Sequence, residues 1–195
     1  MRKHVIAIGA STGGTEALLR VLSGMPRNAP PIVIVQHMPG PYLGPFAKRL
    51  NALCEIEVHE AGNGDAVRAG LALVAPSDLH MRLGASDTGY QVHLTRHPRD
   101  TRHMPSVDVL FDSVAETAAQ HGIGIILTGM GTDGARGLRA MRDAGAQTFG
   151  QDQHSCVVYG MPKAAKRIGA VQTEAPLAQI SELALKACGV PTWQT

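Results

Sequence analysis

The stretch His4-Val5-Ile6-Ala7-Ile8-Gly9-Ala10 runs directly into Ser11-Thr12-Gly13-Gly14-Thr15. An apolar run this short, rich in β-branched residues and without polar alternation, is that of a strand buried on both faces. Small residues then allow a tight reversal, and Thr15–Leu22 continues at helical spacing. A buried strand, a glycine turn and a helix open a parallel α/β unit.

The same alternation continues outward. Ile32–Gln36, Glu55–His59, Leu71–Ala75, Ile123–Leu127 and Ala146–Phe149 read as strands. Pro41–Leu53, Val107–Gln120, Ala135–Ala144 and Leu177–Ala187 carry apolar residues at spacings of three and four, and Pro176 leads the last of them as a favoured first-turn residue. Met81–Leu83 and Tyr90–Leu94 flank Gly84–Gly89, which predicts a small antiparallel hairpin beside the parallel sheet. With no repeat, linker or low-complexity segment, the 195 residues read as one domain, 1–195.

Composition narrows the function classes. At 44% hydrophobic and 17% charged residues the chain is not a disordered tail. A net charge of +2 without basic clustering is no nucleic-acid footprint. Cys54, Cys156 and Cys188 are scattered and lack a CxxC pair, so they predict neither a disulfide framework nor a zinc site, and a reduced, cytoplasmic setting fits them. The basic start Met1-Arg2-Lys3-His4 imitates a signal peptide, but the following apolar run is too short. No run reaches the roughly 20 apolar residues that cross a bilayer.

Ligands of parallel sheets bind beyond the carboxyl ends of the strands. Three strand exits here carry polar residues: Ser11 within Gly9-Ala10-Ser11-Thr12-Gly13-Gly14, His37 within Gln36-His37-Met38-Pro39-Gly40, and Asp133 within Thr128-Gly129-Met130-Gly131-Thr132-Asp133-Gly134. A hydroxyl, an imidazole and a carboxylate form the inventory of a nucleophile, its base and the group that orients the base. Gly9 and Gly13 bracket Ser11 as G-x-S-x-G, and a helix starting nearby would aim backbone N–H groups at the loop. The order Ser, His, Asp departs from that of the α/β-hydrolases. From the residues alone, a serine hydrolase and an anion- or nucleotide-binding loop both fit.

Blander roles exist for each residue. Ser11 can cap the first helix, and Asp133 can cap the helix at Ala135. Asp152 ranks second to Asp133 as the orienting acid, since it too follows a strand. Asp108 and Asp112, spaced i, i+4, read as a solvated helix face. His93, His97 and His103 invite a metal, but Pro98 breaks the segment and the spacing matches no zinc pattern. Lys163, Lys166 and Arg167 read as a solvated basic face that could also attract an acidic partner.

At these loops the sequence resembles the catalytic domain of the chemotaxis protein-glutamate methylesterases, the CheB family. The matching stretches are Ile8–Gly14, Val35–Pro39, Pro105–Phe111, Leu127–Ala135, Gln151-Asp152 and Val157–Pro162, in the family's order across nearly the whole chain. The resemblance implies a doubly wound, mostly parallel sheet with helices on both faces. It implies hydrolysis of glutamate methyl esters on the cytoplasmic helices of membrane chemoreceptors, with release of methanol, and deamidation of receptor glutamines. Ser11 would be nucleophile, His37 general base and Asp133 orienting acid, with the backbone N–H groups of Met130 and Thr12 as oxyanion donors. No metal or organic cofactor is implied. Family members usually carry a preceding receiver domain, whereas this chain starts at the first catalytic strand, so a separated receiver and a stand-alone relative both remain open. A non-catalytic anion- or protein-binding module on the same fold is the other reading.

Overall fold

The computed structural model describes residues 4–98 and 101–190. Arg2 and Lys3 of the basic start lie outside them. Strand β1 (Val5–Ala10) is buried along its whole length, as its two-sided apolar pattern requires. Ile6, Ile8 and Ala10 face one layer, formed by α1 (Gly14–Leu22), α2 (Gly40–Leu53) and α6 (Leu177–Ala187). Val5 and Ala7 face the other, formed by α3 (Val107–Ala118), α4 (Ala135–Asp143) and α5 (Met161–Arg167). The period of two along one strand thus divides the core into two halves.

The main sheet has seven parallel strands. Besides β1 they are β2 (Ile32–Gln36), β3 (Glu57–Glu60), β5 (Leu71–Val74), β8 (Gly122–Ile126), β9 (Gln147–Gln151) and β10 (Thr173–Ala175). Their order is β10-β9-β8-β1-β2-β5-β3. The chain leaves β1 for β2 on one side and later returns to place β8 on the other. The topological switch point therefore lies between β1 and β8, where connections of opposite direction part and leave a crevice. The expected doubly wound sheet with helices on both faces is what the chain forms.

The expected hairpin belongs to a three-stranded antiparallel sheet, ordered β4 (Ala66–Val67), β7 (Gly89–Thr95), β6 (His80–Ser86). Its arms are longer than the sequence suggests because Gly84 lies inside β6 and is not part of the turn. A Cβ there would stand 2.5 Å from the His93 ring on the paired strand, so the glycine makes room for a cross-strand neighbour. The edge strand β6 docks on α3 through side chains: Ser113 Oγ accepts from Leu83 N at 2.8 Å, and Thr117 Oγ1 donates to Leu83 O at 3.1 Å. Two short strands, β4 and β10, escape sequence reading because two or three residues show no period. Helix α3 stops at Ala118, and Ala119–His121 follows as a 3-10 turn.

One contact ties this framework to the site. Gly9, near the end of β1, lies against Val107 in the first turn of α3. A Cβ on Gly9 would fall 2.2 Å from Val107 Cγ1, so β1 and the start of α3 can touch only through a glycine. Gly9→Ala should lower stability by about 1–3 kcal/mol through overpacking. Urea unfolding measures this, and an unchanged midpoint would show that α3 shifts at no cost.

Candidate functional site

The geometry of the site follows from parallel pairing. Ala10 and Gln36 are register partners at the ends of β1 and β2, so Ser11 and His37 leave the sheet as neighbours. His37 N donates to Ala10 O at 3.0 Å, and Ser11 N donates to Thr128 O at 3.0 Å, which joins the exits of β1, β2 and β8. Gln36 locks two of them from below, its Nε2 donating to Ser11 O and to His37 O, each at 2.9 Å. Gly129 stands against Ser11, since a Cβ there would lie 2.7 Å from Ser11 Cβ. Ser11 does not cap α1: Gly13, in the left-handed conformation at φ 80°, occupies that position without a side-chain bond.

His37 Nε2 and Asp133 Oδ2 are 2.8 Å apart, and the two side chains are only 12% and 8% exposed. A carboxylate only accepts, so Nε2 is the nitrogen that donates, and Nδ1 is the one that carries the lone pair when the ring is neutral. Nδ1 is buried and has no hydrogen-bond partner among the described residues. His103 lies flat on the His37 ring, with centroids 4.3 Å apart and planes inclined by 20°.

Asp133 has a role the sequence does not show. It lies two residues before α4, but Gly134 occupies the cap position there, with no side-chain bond. Instead the carboxylate sits on the first turn of α3. Oδ1 accepts from Ser106 Oγ at 2.8 Å and from Asp108 N at 3.0 Å, and Oδ2 accepts from Val107 N at 2.8 Å as well as from His37. Burial alone would raise the Asp133 pKa. The bonds from His37, Asp108, Val107 and Ser106 overcome it and hold the group down at about 2.

Of the other acids, none bonds His37 among the described residues. Asp152 closes a local turn by accepting from Ser155 N and Oγ. Asp108 and Asp112 are not a solvated face: Asp108 Oδ1 accepts from Gly137 N at 2.7 Å, and Asp112 pairs with Arg136 at 2.7 Å, so both join α3 to α4. The i, i+4 spacing is correct, but the face it defines meets a neighbouring helix. His93, His97 and His103 do not converge, and no group of three potential metal ligands occurs among the described residues. Lys166 pairs with Glu174, while Lys163 and Arg167 form the open basic face expected.

The N–H groups of Thr12 and Met130 donate to nothing among the described residues. The loop carrying Met130 is braced from the segment before α5. Gly129 N donates to Val158 O at 3.0 Å, while Met161 N donates to Gly129 O at 2.8 Å. A Cβ on Gly160 would lie 2.6 Å from Gly129 O, so the brace needs that glycine. Thr128 Oγ1 donates to Thr12 O at 2.9 Å and accepts from Val158 N at 3.0 Å, and Gln151 Oε1 accepts from Thr128 N at 2.8 Å. Sequence reading assigns no part in the site to Gln36, His80, His103, Ser106, Gln151 or Val158. Only Ser106 carried a local signal, as a serine just before an apolar helical run.

The depressed Asp133 pKa makes stability depend on pH. A group ionised more readily in the folded state stabilises it above the unfolded value near 3.8, and that contribution fades as pH falls towards 2. The amount is about 2 kcal/mol. Asp133→Asn should therefore flatten the difference in unfolding free energy between pH 6 and pH 2.5. An equally steep dependence in the variant would remove Asp133 as its source. Ser106→Ala should cost about 1.5–3 kcal/mol at neutral pH, the range for a bond to a charged group.

Comparison with known proteins agrees with the fold. The model of the CheB methylesterase family matches residues 6–184. A protein from Dechloromonas aromatica, named protein-glutamate methylesterase/protein-glutamine glutaminase 2, is 56% identical over 177 residues, which are 91% of this chain and 49% of that protein. One of the same name from Hahella chejuensis is 54% identical over 181 residues, 93% of this chain and 49% of its own. This chain thus spans about half the length of the curated relatives it matches. The crystal structure of the Thermotoga maritima CheB methylesterase catalytic domain superposes with a TM-score of 0.92 at 34% identity, covering 95% of this chain and 99% of that one. The family model, the relatives and the superposed fold agree, and the chain belongs to the CheB methylesterase family.

Proposed function

We propose that this chain is the catalytic unit of a protein-glutamate methylesterase, with Ser11 as nucleophile, His37 as general base and Asp133 as the acid that orients it. The observation that carries this reading is His37 itself: one ring nitrogen lies on a buried carboxylate, and the other has no hydrogen-bond partner among the described residues, which in the neutral ring leaves it a lone pair. A serine hydroxyl needs such a lone pair to become nucleophilic at neutral pH. Ser11 Oγ attacks the ester carbonyl as its proton passes to His37 Nδ1. Asp133, ionised far below neutral pH, stabilises the imidazolium without taking its proton.

The oxyanion of the tetrahedral intermediate accepts from the free N–H groups of Met130 and Thr12, each contributing about 3 kcal/mol. Methanol leaves with the proton from Nδ1. Water then attacks the glutamyl-serine ester with His37 again as base, and glutamate and free Ser11 are regenerated. With glutamine as substrate, the same steps release ammonia, which fits the second half of the relatives' name.

The substrate we infer is a protein segment, the cytoplasmic helices of chemoreceptors. Met130 is 67% exposed and Val157 is 71% exposed. Val157 stands beside Gly13, where a Cβ would come within 2.6 Å of its own. An open apolar rim suits a broad macromolecular surface, whereas small-molecule sites enclose their ligands. Among the described residues no helix is long and apolar enough to cross a membrane, and the reading places the enzyme in the cytoplasm.

The test is methanol release from methylated receptor cytoplasmic fragments. Ser11→Ala should abolish it, and Asp133→Asn should lower kcat by about 10³–10⁴-fold. Release that persists in Ser11→Ala would remove the serine mechanism. No release from the folded native chain would favour a binding module on the same fold.

A further inference from the structure

The hydrogen bond to Asp133 fixes one atom of the His37 ring, not its plane. The Cβ–Cγ torsion of histidine is broad, so a ring held at a single nitrogen can still rock about that bond. The second nitrogen supplies no restraint, because Nδ1 has no partner among the described residues. A further constraint is a face: His103 stacks on His37 at 4.3 Å between centroids and 20° between planes.

His103 is itself well anchored. Its segment is held at both ends by His80, which is fully buried at the start of β6. His80 Nδ1 accepts from Ser106 N at 3.1 Å, and its Nε2 meets Pro98 O at 3.0 Å and Thr101 Oγ1 at 3.2 Å. With Nδ1 accepting from a backbone N–H, Nε2 is the nitrogen that donates to Pro98 O. The same buried ring thus fixes Ser106, which donates to Asp133, and the segment that presents His103.

We propose that His103 is a positioning residue, whose ring sets the plane of the His37 imidazole so that Nδ1 is aligned for the proton of Ser11. This rests on the methylesterase reading above. The role needs a flat ring and no proton transfer by His103. Burial, followed by the neighbouring His37, lowers the His103 pKa, which keeps the stacked ring neutral beside a base that must become positive.

The experiment compares the native chain with His103→Ala, His103→Phe and His103→Leu, using methanol release and the nuclear magnetic resonance of the His37 ring. Folding of each is verified by thermal unfolding, and Leu provides a bulkier non-planar variant if Ala does not fold. His103→Ala and His103→Leu should lower kcat about tenfold or more with KM within twofold, and His103→Phe should retain kcat within about threefold. In the native chain the His37 Nε2 proton should give a sharp downfield resonance that broadens in Ala and Leu and returns in Phe. Unchanged kcat in His103→Ala, a change in KM alone, or Phe no better than Ala would overturn the proposal. If the native chain releases no methanol, the methylesterase reading fails. The resonance then decides separately, and identical line shapes in all variants would show that His103 does not hold the ring.

Discussion

The carboxylate of Asp133 is a full charge almost removed from water, and such a group is tolerated only when its oxygens are bonded. Four donors meet it, and three of them come from consecutive residues, Ser106, Val107 and Asp108, at the start of α3. A helix N-terminus offers unpaired N–H groups and a positive dipole end, so it is suited to hold an anion. The fourth donor is His37. One electrostatic requirement therefore brings together the loop after β8, the start of α3 and the exit of β2.

The remaining architecture keeps α3 where this requirement needs it. The antiparallel sheet bonds its edge strand to Ser113 and Thr117 on the helix flank, and His80 on that strand accepts the N–H of Ser106. Asp108 and Asp112 tie the same helix to α4. Gly9 allows Val107 to approach the central strand. The small sheet is thus part of the support of the site.

On the opposite side the loop with Met130 depends on the segment from Val157 to Met161. That stretch stood out in the sequence only by resemblance, and its backbone bonds to Gly129 supply the physical reason. Both walls of the crevice are therefore held by segments distant in sequence. Preorganised donors stabilise a developing charge best when they need not move during reaction.

The local sequence determined what depends on neighbours along the chain. The two-sided apolar run Val5–Ala10 declares a buried parallel strand, helical spacing declares α2, α3 and α6, and the positions of Ser11, His37 and Asp133 just past three strands place all three at one edge. The fold class and the three polar residues were legible for that reason. Tertiary structure decided the rest, because it concerns partners separated by many residues. Asp133 anchors on the helix at Ser106, 27 residues earlier, in place of the helix at Ala135; His103 lies on His37; and Asp108 and Asp112 meet a neighbouring helix instead of solvent. A repeating pattern shows which face of an element is buried, but what covers that face is fixed only when the chain closes on itself.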